Sequence, residues 1–279
     1  MTDLSQWAQT GLRTRRSRPP LQFPKVQLRR AVPLLGLVVP LALLLAWYGV
    51  TAAHWVPEQI LPAPVTVLEA FAVLLRSGDL QHNLAVSLSR VAYGFGAGTL
   101  AGLLFGAGMG FSDGFSRLVR PTFLIIAQIP ILAWLPFFML LLGIGEALKV
   151  VLVAKAVFTP ITLATSAGIR GVPQRYLELA RILQFTRWQT LARVIFPATL
   201  PQLFSGLRYG LTHAWLALVA VELLASYEGI GYLMVYSRQL FQLDVMVAIM
   251  LVIGAVGLVF DRLLALGEAW LQRRYGGAS

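Results

Sequence analysis

The chain offers few groups for covalent or metal chemistry. It has no cysteine, which excludes thiolate nucleophiles, disulfides and thiolate metal sites. His54, His82 and His213 stand apart from one another, and neither an H-E-x-x-H pair nor a Walker A loop occurs. Gly110-Phe111-Ser112-Asp113-Gly114 matches the G-x-S-x-G nucleophile elbow, which needs a strand before the serine and a helix after it. Here the preceding residues form a long apolar run with glycine at every fourth position, so the match carries no nucleophile. What remains is recognition by charge. It concentrates in Gly168–Pro201, where Arg170, Arg175, Arg181, Arg187 and Arg193 surround the single acid Glu178.

In that stretch Leu177, Ala180 and Leu183, then Trp188, Leu191 and Ile195, recur at helical spacing. Two short amphipathic helices are expected. A short helix carrying one acid among arginines, closed by a turn, suits the groove of another protein. The competing reading is that a loop between membrane spans is arginine-rich for topological reasons alone.

The spacing within the loop carries a resemblance. Permease subunits of ABC importers bear, in the loop that docks on the ATPase, the pattern E-A-A, three residues, G, nine residues, I-x-L-P. Glu178, Ala180, Val194 and Pro197 fall on or close to it, whereas Leu179 stands for an alanine, Gln184 for the glycine and Phe196 for the leucine. The resemblance implies ATPase docking through Glu178, Leu179, Ala180, Gln184, Val194 and Pro197. Glycine makes such a turn in the left-handed conformation at little cost. Gln184 cannot do so as cheaply, which leaves the sharpness of the bend open.

Composition sets the surroundings of this loop. With 57% hydrophobic and 13% charged residues over 279 positions, the chain is far more apolar than a soluble domain and reads as an all-α polytopic membrane protein. Its formal charge of +11 does not indicate nucleic acid, because the bases lie outside the apolar runs rather than on a face shared with aromatics. Residues 1–30, with seven bases, three prolines and one acid, read as a disordered cytoplasmic tail. The apolar run 31–50 is long enough to span and longer than a signal-peptide core, so it is taken as a retained first span. A helix over Val65–Leu75 and further spans at about 84–111, 122–142, 150–166, 203–224 and 245–266 follow, giving six in a transmembrane domain over 31–279.

The spans carry their own signals. Gly94, Gly98, Gly102, Gly106 and Gly110 line one helix face and predict close helix packing. Pro130 and Pro136 interrupt the third span, which should therefore face protein or a water-filled path rather than lipid. Lys155, within the fourth span, is expected to snorkel toward the interface, with a pathway role as the alternative. The stretch Ile129–Pro136, the turn Gly143–Glu146, the position of Glu222 and the turn Gly229–Tyr232 resemble the nitrate, sulfonate and taurine branch of ABC permeases. That resemblance implies a type I importer permease fold, and a translocation path formed by Pro130, Trp134, Pro136, Lys155 and Glu222.

Bases crowd the amino-terminal tail, the Arg117–Arg120 loop, the docking loop with Arg208, and the carboxyl tail with Arg273 and Arg274, against Arg76, Lys149 and Arg238 on the other side. The positive-inside rule then places both termini and the docking loop in the cytoplasm of a bacterial inner membrane. The resemblance implies a homodimer serving two ATPase subunits, which would hold ATP and magnesium, and a periplasmic or lipid-anchored binding protein. No cofactor or metal is expected on this chain. The implied substrate is a small anion, an aliphatic sulfonate or taurine, with nitrate or another small organic acid as the alternative. A secondary transporter driven by ions is the reading from another class. It would need buried acids, for which Glu222 and Asp261 are the candidates, and internal repeats, which the sequence does not display.

Overall fold

The computed structural model describes the backbone over residues 32–275 and the side chains over 38–269. The expected tail over 1–30 lies outside the described residues, as do the side chains of Arg273 and Arg274. Every regular element among the described residues is helical. The chain divides into two units, one reaching Ala46 and one beginning at Trp47. In the first, helix α1 (Val32–Ala52) begins; its 21 residues carry no charge and reach about 32 Å, enough for the hydrocarbon core.

The second unit opens with α2 (Pro64–Ser77), whose proline occupies the first turn, where a missing N–H costs nothing. Gly78, at φ +85°, turns the chain directly into α3 (Asp79–Phe111). The helix that contains the expected second span thus starts at Asp79, ahead of Leu84. Ser112 ends α3 and accepts the Phe115 N–H at 3.2 Å. The serine of the G-x-S-x-G match is therefore the cap of α4 (Asp113–Gln128).

The third span, expected as one segment over 122–142, is corrected by the structure. Helix α4 stops at Gln128, Ile129 is extended as residues before proline prefer, and a 3₁₀ turn over Ile131–Trp134 leads into α5 (Leu135–Leu142). The axes on either side differ by 95°. Pro130 makes this break. Pro136 does not interrupt anything, since it sits in the first turn of α5.

Helix α6 (Glu146–Arg170) packs between α3 and α9 (Phe196–Ala225). Before α9 come α7 (Gln174–Ile182), α8 (Arg187–Thr190) and a π turn over Leu191–Ile195. Helix α10 (Ile230–Gln239) and α11 (Leu243–Tyr275) complete the chain. Within residues 38–269, where α1 is represented only by Val38–Ala52, four stretches are long and apolar enough to cross a membrane: α3, α6, the run from Arg187 through α9, and α11; the bent pair of α4 with Ile131–Leu142 makes a fifth.

Glycines set the closeness of the central packing. A Cβ on Gly94 would lie 2.5 Å from Val153 Cγ1, on Gly102 2.8 Å from Ile161 Cβ and on Gly110 2.8 Å from Ile169 Cβ, while on Gly98 it would strike the Ala154 carbonyl. Every rung of the ladder, including Gly106 against Thr162 and Thr165, faces α6. The core that results joins Val91, Val153, Val157, Ile161, Ala214, Trp215 and Leu218.

Candidate functional site

The loop between α6 and α9 builds a hook. Pro173 precedes α7, and the helix ends at Leu183 with Gln184 in the left-handed region at φ +53°. The Phe185 N–H returns to the Ala180 carbonyl at 2.9 Å and the Gln184 N–H to the Arg181 carbonyl at 3.0 Å, a Schellman motif with glutamine in the glycine position. The bend is sharp despite the substitution, at a backbone cost of about 1–2 kcal/mol. Thr186 then caps α8 reciprocally with Gln189, at 3.3 Å and 2.8 Å.

The second helix of the loop does not stand alone. It runs without a break through the π turn into α9, giving one helical stretch from Arg187 to Ala225. Pro197 explains the π turn, because it cannot donate to the Arg193 carbonyl. The turn ahead of it widens, and the Phe196 N–H bonds to Leu191.

Leu179, Ala180, Val194 and Pro197 line one groove together with Tyr176, Leu183, Phe185 and Arg193. Glu178 and Gln184 are exposed beside it. The groove is apolar at its floor and basic at its edge. Ile182 and Trp188 project from the same hook, nearly four-fifths exposed.

A second feature is a cleft of the membrane region, bounded by the end of α4, the 3₁₀ turn, α6 and α9. Pro130 and Lys155 line it with Gln128, Thr159, Tyr209 and His213, among alanine and leucine side chains. Lys155 does not snorkel to a helix end. Its Nζ donates to the Ile129 carbonyl at 3.1 Å and lies 5.3 Å from the Trp134 ring centre, so it satisfies a backbone acceptor that the break in α4 leaves free. Tyr209 and His213 rings meet edge to face at 4.3 Å. Among the described residues no acid lines this cleft.

Trp134, Pro136 and Glu222 are not among its lining residues. Trp134 stands behind Lys155, and Pro136 starts α5. Glu222, expected on the path, is 1% exposed and belongs to a polar network elsewhere. Its carboxylate accepts from Arg90 Nη1 at 2.8 Å, from the Ser87 hydroxyl at 2.8 Å and from the Gly231 N–H at 3.0 Å. Arg90, 2% exposed, also grips Glu146 with Nε at 2.6 Å and Nη2 at 2.5 Å, and donates to the Glu228 carbonyl at 2.7 Å. Lys149 Nζ reaches Glu146 at 2.8 Å, and Asn83 Oδ1 accepts the Gly229 N–H at 2.8 Å.

This network joins α3, α6, α9 and the turn before α10, with two cations balancing two carboxylates. It also explains Gly229-Ile230-Gly231. A Cβ on Gly229 would collide with the Glu222 carboxylate, and one on Gly231 would come within 2.7 Å of Glu222 Cβ. Sequence reading missed the pairing of Arg90 with Glu222 and Glu146. The available signal was an arginine and a glutamate, each inside an apolar run, since charges in such places demand partners. Asp261, the other acid considered, is paired to Arg208 at 2.8 Å.

Comparisons with known proteins agree with this architecture. Residues 94–275 match the family model described as binding-protein-dependent transport system inner membrane component. The nitrate import permease protein NrtB of Synechocystis is 34% identical over 93% of this chain and 95% of its own length. The taurine transport system permease protein TauC of Escherichia coli is 33% identical over 83% and 85%. A Bacillus subtilis protein named as a candidate aliphatic sulfonates transport permease, SsuC, is 36% identical over 85% and 86%. A solved chain of the MetNI methionine ABC transporter, in inward-facing conformations, shares the fold with a TM-score of 0.58 at 17% identity, over 66% of this chain and 92% of that one. With its helical spans, its hooked loop between α6 and α9, and these relatives, the chain belongs to the binding-protein-dependent transport system inner membrane components, as an ABC importer permease of the nitrate, sulfonate and taurine branch.

Proposed function

We propose that this permease passes a small oxyanion, an aliphatic sulfonate or taurine in preference to nitrate. The observation that carries the reading is the cleft between the broken α4–α5 segment, α6 and α9, whose one charged lining residue among the described residues is Lys155. A positive field without a dense set of donors lets an anion enter and leave. Pro130 and Lys155 contribute directly, with Trp134 and Pro136 shaping the wall behind. The names of the relatives, two for organic sulfonates and one for nitrate, support the substrate class.

In this reading the chain forms a homodimer whose two hooks enter the grooves of two ATPase subunits. Ala180, Val194 and Pro197 provide the apolar seat, Leu179 and Gln184 its rim, and Glu178 the charge partner for a basic ATPase residue. ATP and magnesium belong to those partners, and a periplasmic or lipid-anchored binding protein delivers the substrate. Both termini and the hook lie in the cytoplasm, as the distribution of bases favours. Because the π turn makes α8 and α9 one helix, motion of the hook reaches the cleft through a rigid element.

Growth of a strain lacking the gene tests the substrate. Loss of growth on alkanesulfonates or taurine as sole sulfur source, with nitrate use retained, is the expected result. Unimpaired growth on every sulfonate together with loss of growth on nitrate would overturn the preference.

A further inference from the structure

At the foot of α4, where α3 ends, lies a recess separate from both the hook groove and the cleft. Asp113, Arg117, Arg120, Pro121, Leu124 and Arg170 form its walls. Arg170 is fixed in place, since its Nε and Nη2 donate to the Met109 carbonyl at 3.1 Å and 2.8 Å while Nη1 pairs with Asp113 at 2.9 Å. That pairing neutralises Asp113. Arg117 and Arg120, one turn apart and exposed, have no carboxylate within ion-pair distance among the described residues. The recess therefore keeps two uncompensated guanidinium charges.

Its other wall is apolar and continues into an exposed stripe. Leu124 is over a third exposed, and Leu118 and Ile125, on the same helix, are more than two-thirds exposed. A soluble oxyanion would use the arginines and ignore the stripe. A molecule with a phosphate at one end and hydrocarbon at the other uses both. Guanidinium groups take phosphate oxygens in forked pairs, and the end of the spanning helix α3 is the depth at which headgroups lie.

We propose that this recess binds the headgroup of an anionic phospholipid, with Arg117 and Arg120 holding the phosphodiester and Leu118, Leu124 and Ile125 lying along the acyl chains. The lipid would brace the corner where α3, α4 and the end of α6 meet, directly before the hook. The assignment is independent of the transported substrate.

The test is lipid retention by the full-length chain purified in detergent, read by native mass spectrometry with phosphatidylglycerol or phosphatidylcholine added. The wild-type chain is expected to prefer phosphatidylglycerol, and the double variant R117Q/R120Q to lose roughly 30-fold in affinity for it, at about fivefold per arginine near a charged lipid surface. The control R181Q/R187Q, which removes the same charge from the hook, should retain wild-type affinity. Should the double variant fail to fold, R120Q alone is expected to lose about fivefold. Equal retention by wild type and R117Q/R120Q, or an equal loss in the control, would overturn the site. Displacement of the lipid by millimolar inorganic phosphate would overturn it as well, because the recess would then recognise a free oxyanion.

Discussion

Arg90 shows how one residue can hold a membrane bundle together. Its guanidinium is almost wholly buried yet makes bonds to Glu146, Glu222 and the Glu228 carbonyl, so the cost of removing the charge from water is offset by a full set of partners. Taking away one partner strands the others. Arg90→Met leaves the Glu222 carboxylate buried with only neutral donors and should destabilise the chain by about 3–5 kcal/mol. Arg90→Met combined with Glu222→Met should lose much less than the two single losses added, because no unpaired buried charge remains. Thermal unfolding of the three variants in detergent checks this. Strict additivity of the losses would show that the two groups do not act as a pair.

At the scale of the element, α3 and α6 owe their close approach to the absence of side chains. The ladder of glycines weakens α3 by helix propensity, and the contact with α6 compensates through packing. Gly102→Leu drives a branched side chain toward Ile161 Cβ, 2.8 Å from the position of its own Cβ, and should cost at least 1–3 kcal/mol or prevent assembly. Gly96→Leu meets nothing within 4 Å and should be neutral or slightly stabilising, since leucine is the better helix former. Equal loss of folded protein at both sites, measured as the monodisperse fraction after extraction, would contradict the placement of the ladder on α6. The four-residue period made this face legible in the sequence, as helical spacing did α7, whereas the second short helix expected in the hook is the start of the stretch Arg187–Ala225. An interruption of the third span was legible too, but not which residue makes it, because prolines at 130 and 136 look alike in sequence. Only the register of the restarting helix assigns the break to Pro130 and a harmless first-turn place to Pro136. Gln184 is a similar case: its type argues against a left-handed turn, and the returning bonds to Ala180 and Arg181 override that preference.

For the whole molecule, the arrangement of bases and the placement of the polar features bear on one property, orientation. The hook, the recess at Arg117 and the ladder's last rung lie toward one end of the spans. The Arg90 network, Gly78 and the turn before α10 lie toward the other, since α3 runs from Asp79 near the network to Phe111 near the hook. Fold class and family were readable from composition and the loop pattern, whereas the network was not, because it joins residues as far apart as Ser87 and Glu222. If the hook faces the cytoplasm, as proposed from the distribution of bases, single cysteines should report opposite exposures from the two ends. The native chain has none, so no background arises. Gly114→Cys, at an exposed position with nothing within 4 Å, should be shielded from an impermeant maleimide in intact cells and react after permeabilisation. Ser77→Cys and Gln242→Cys, both exposed at the opposite end, should react in intact cells. Labelling at position 114 without permeabilisation, with shielding at 77 and 242, would invert the chain in the membrane and place the hook where no cytoplasmic ATPase could reach it.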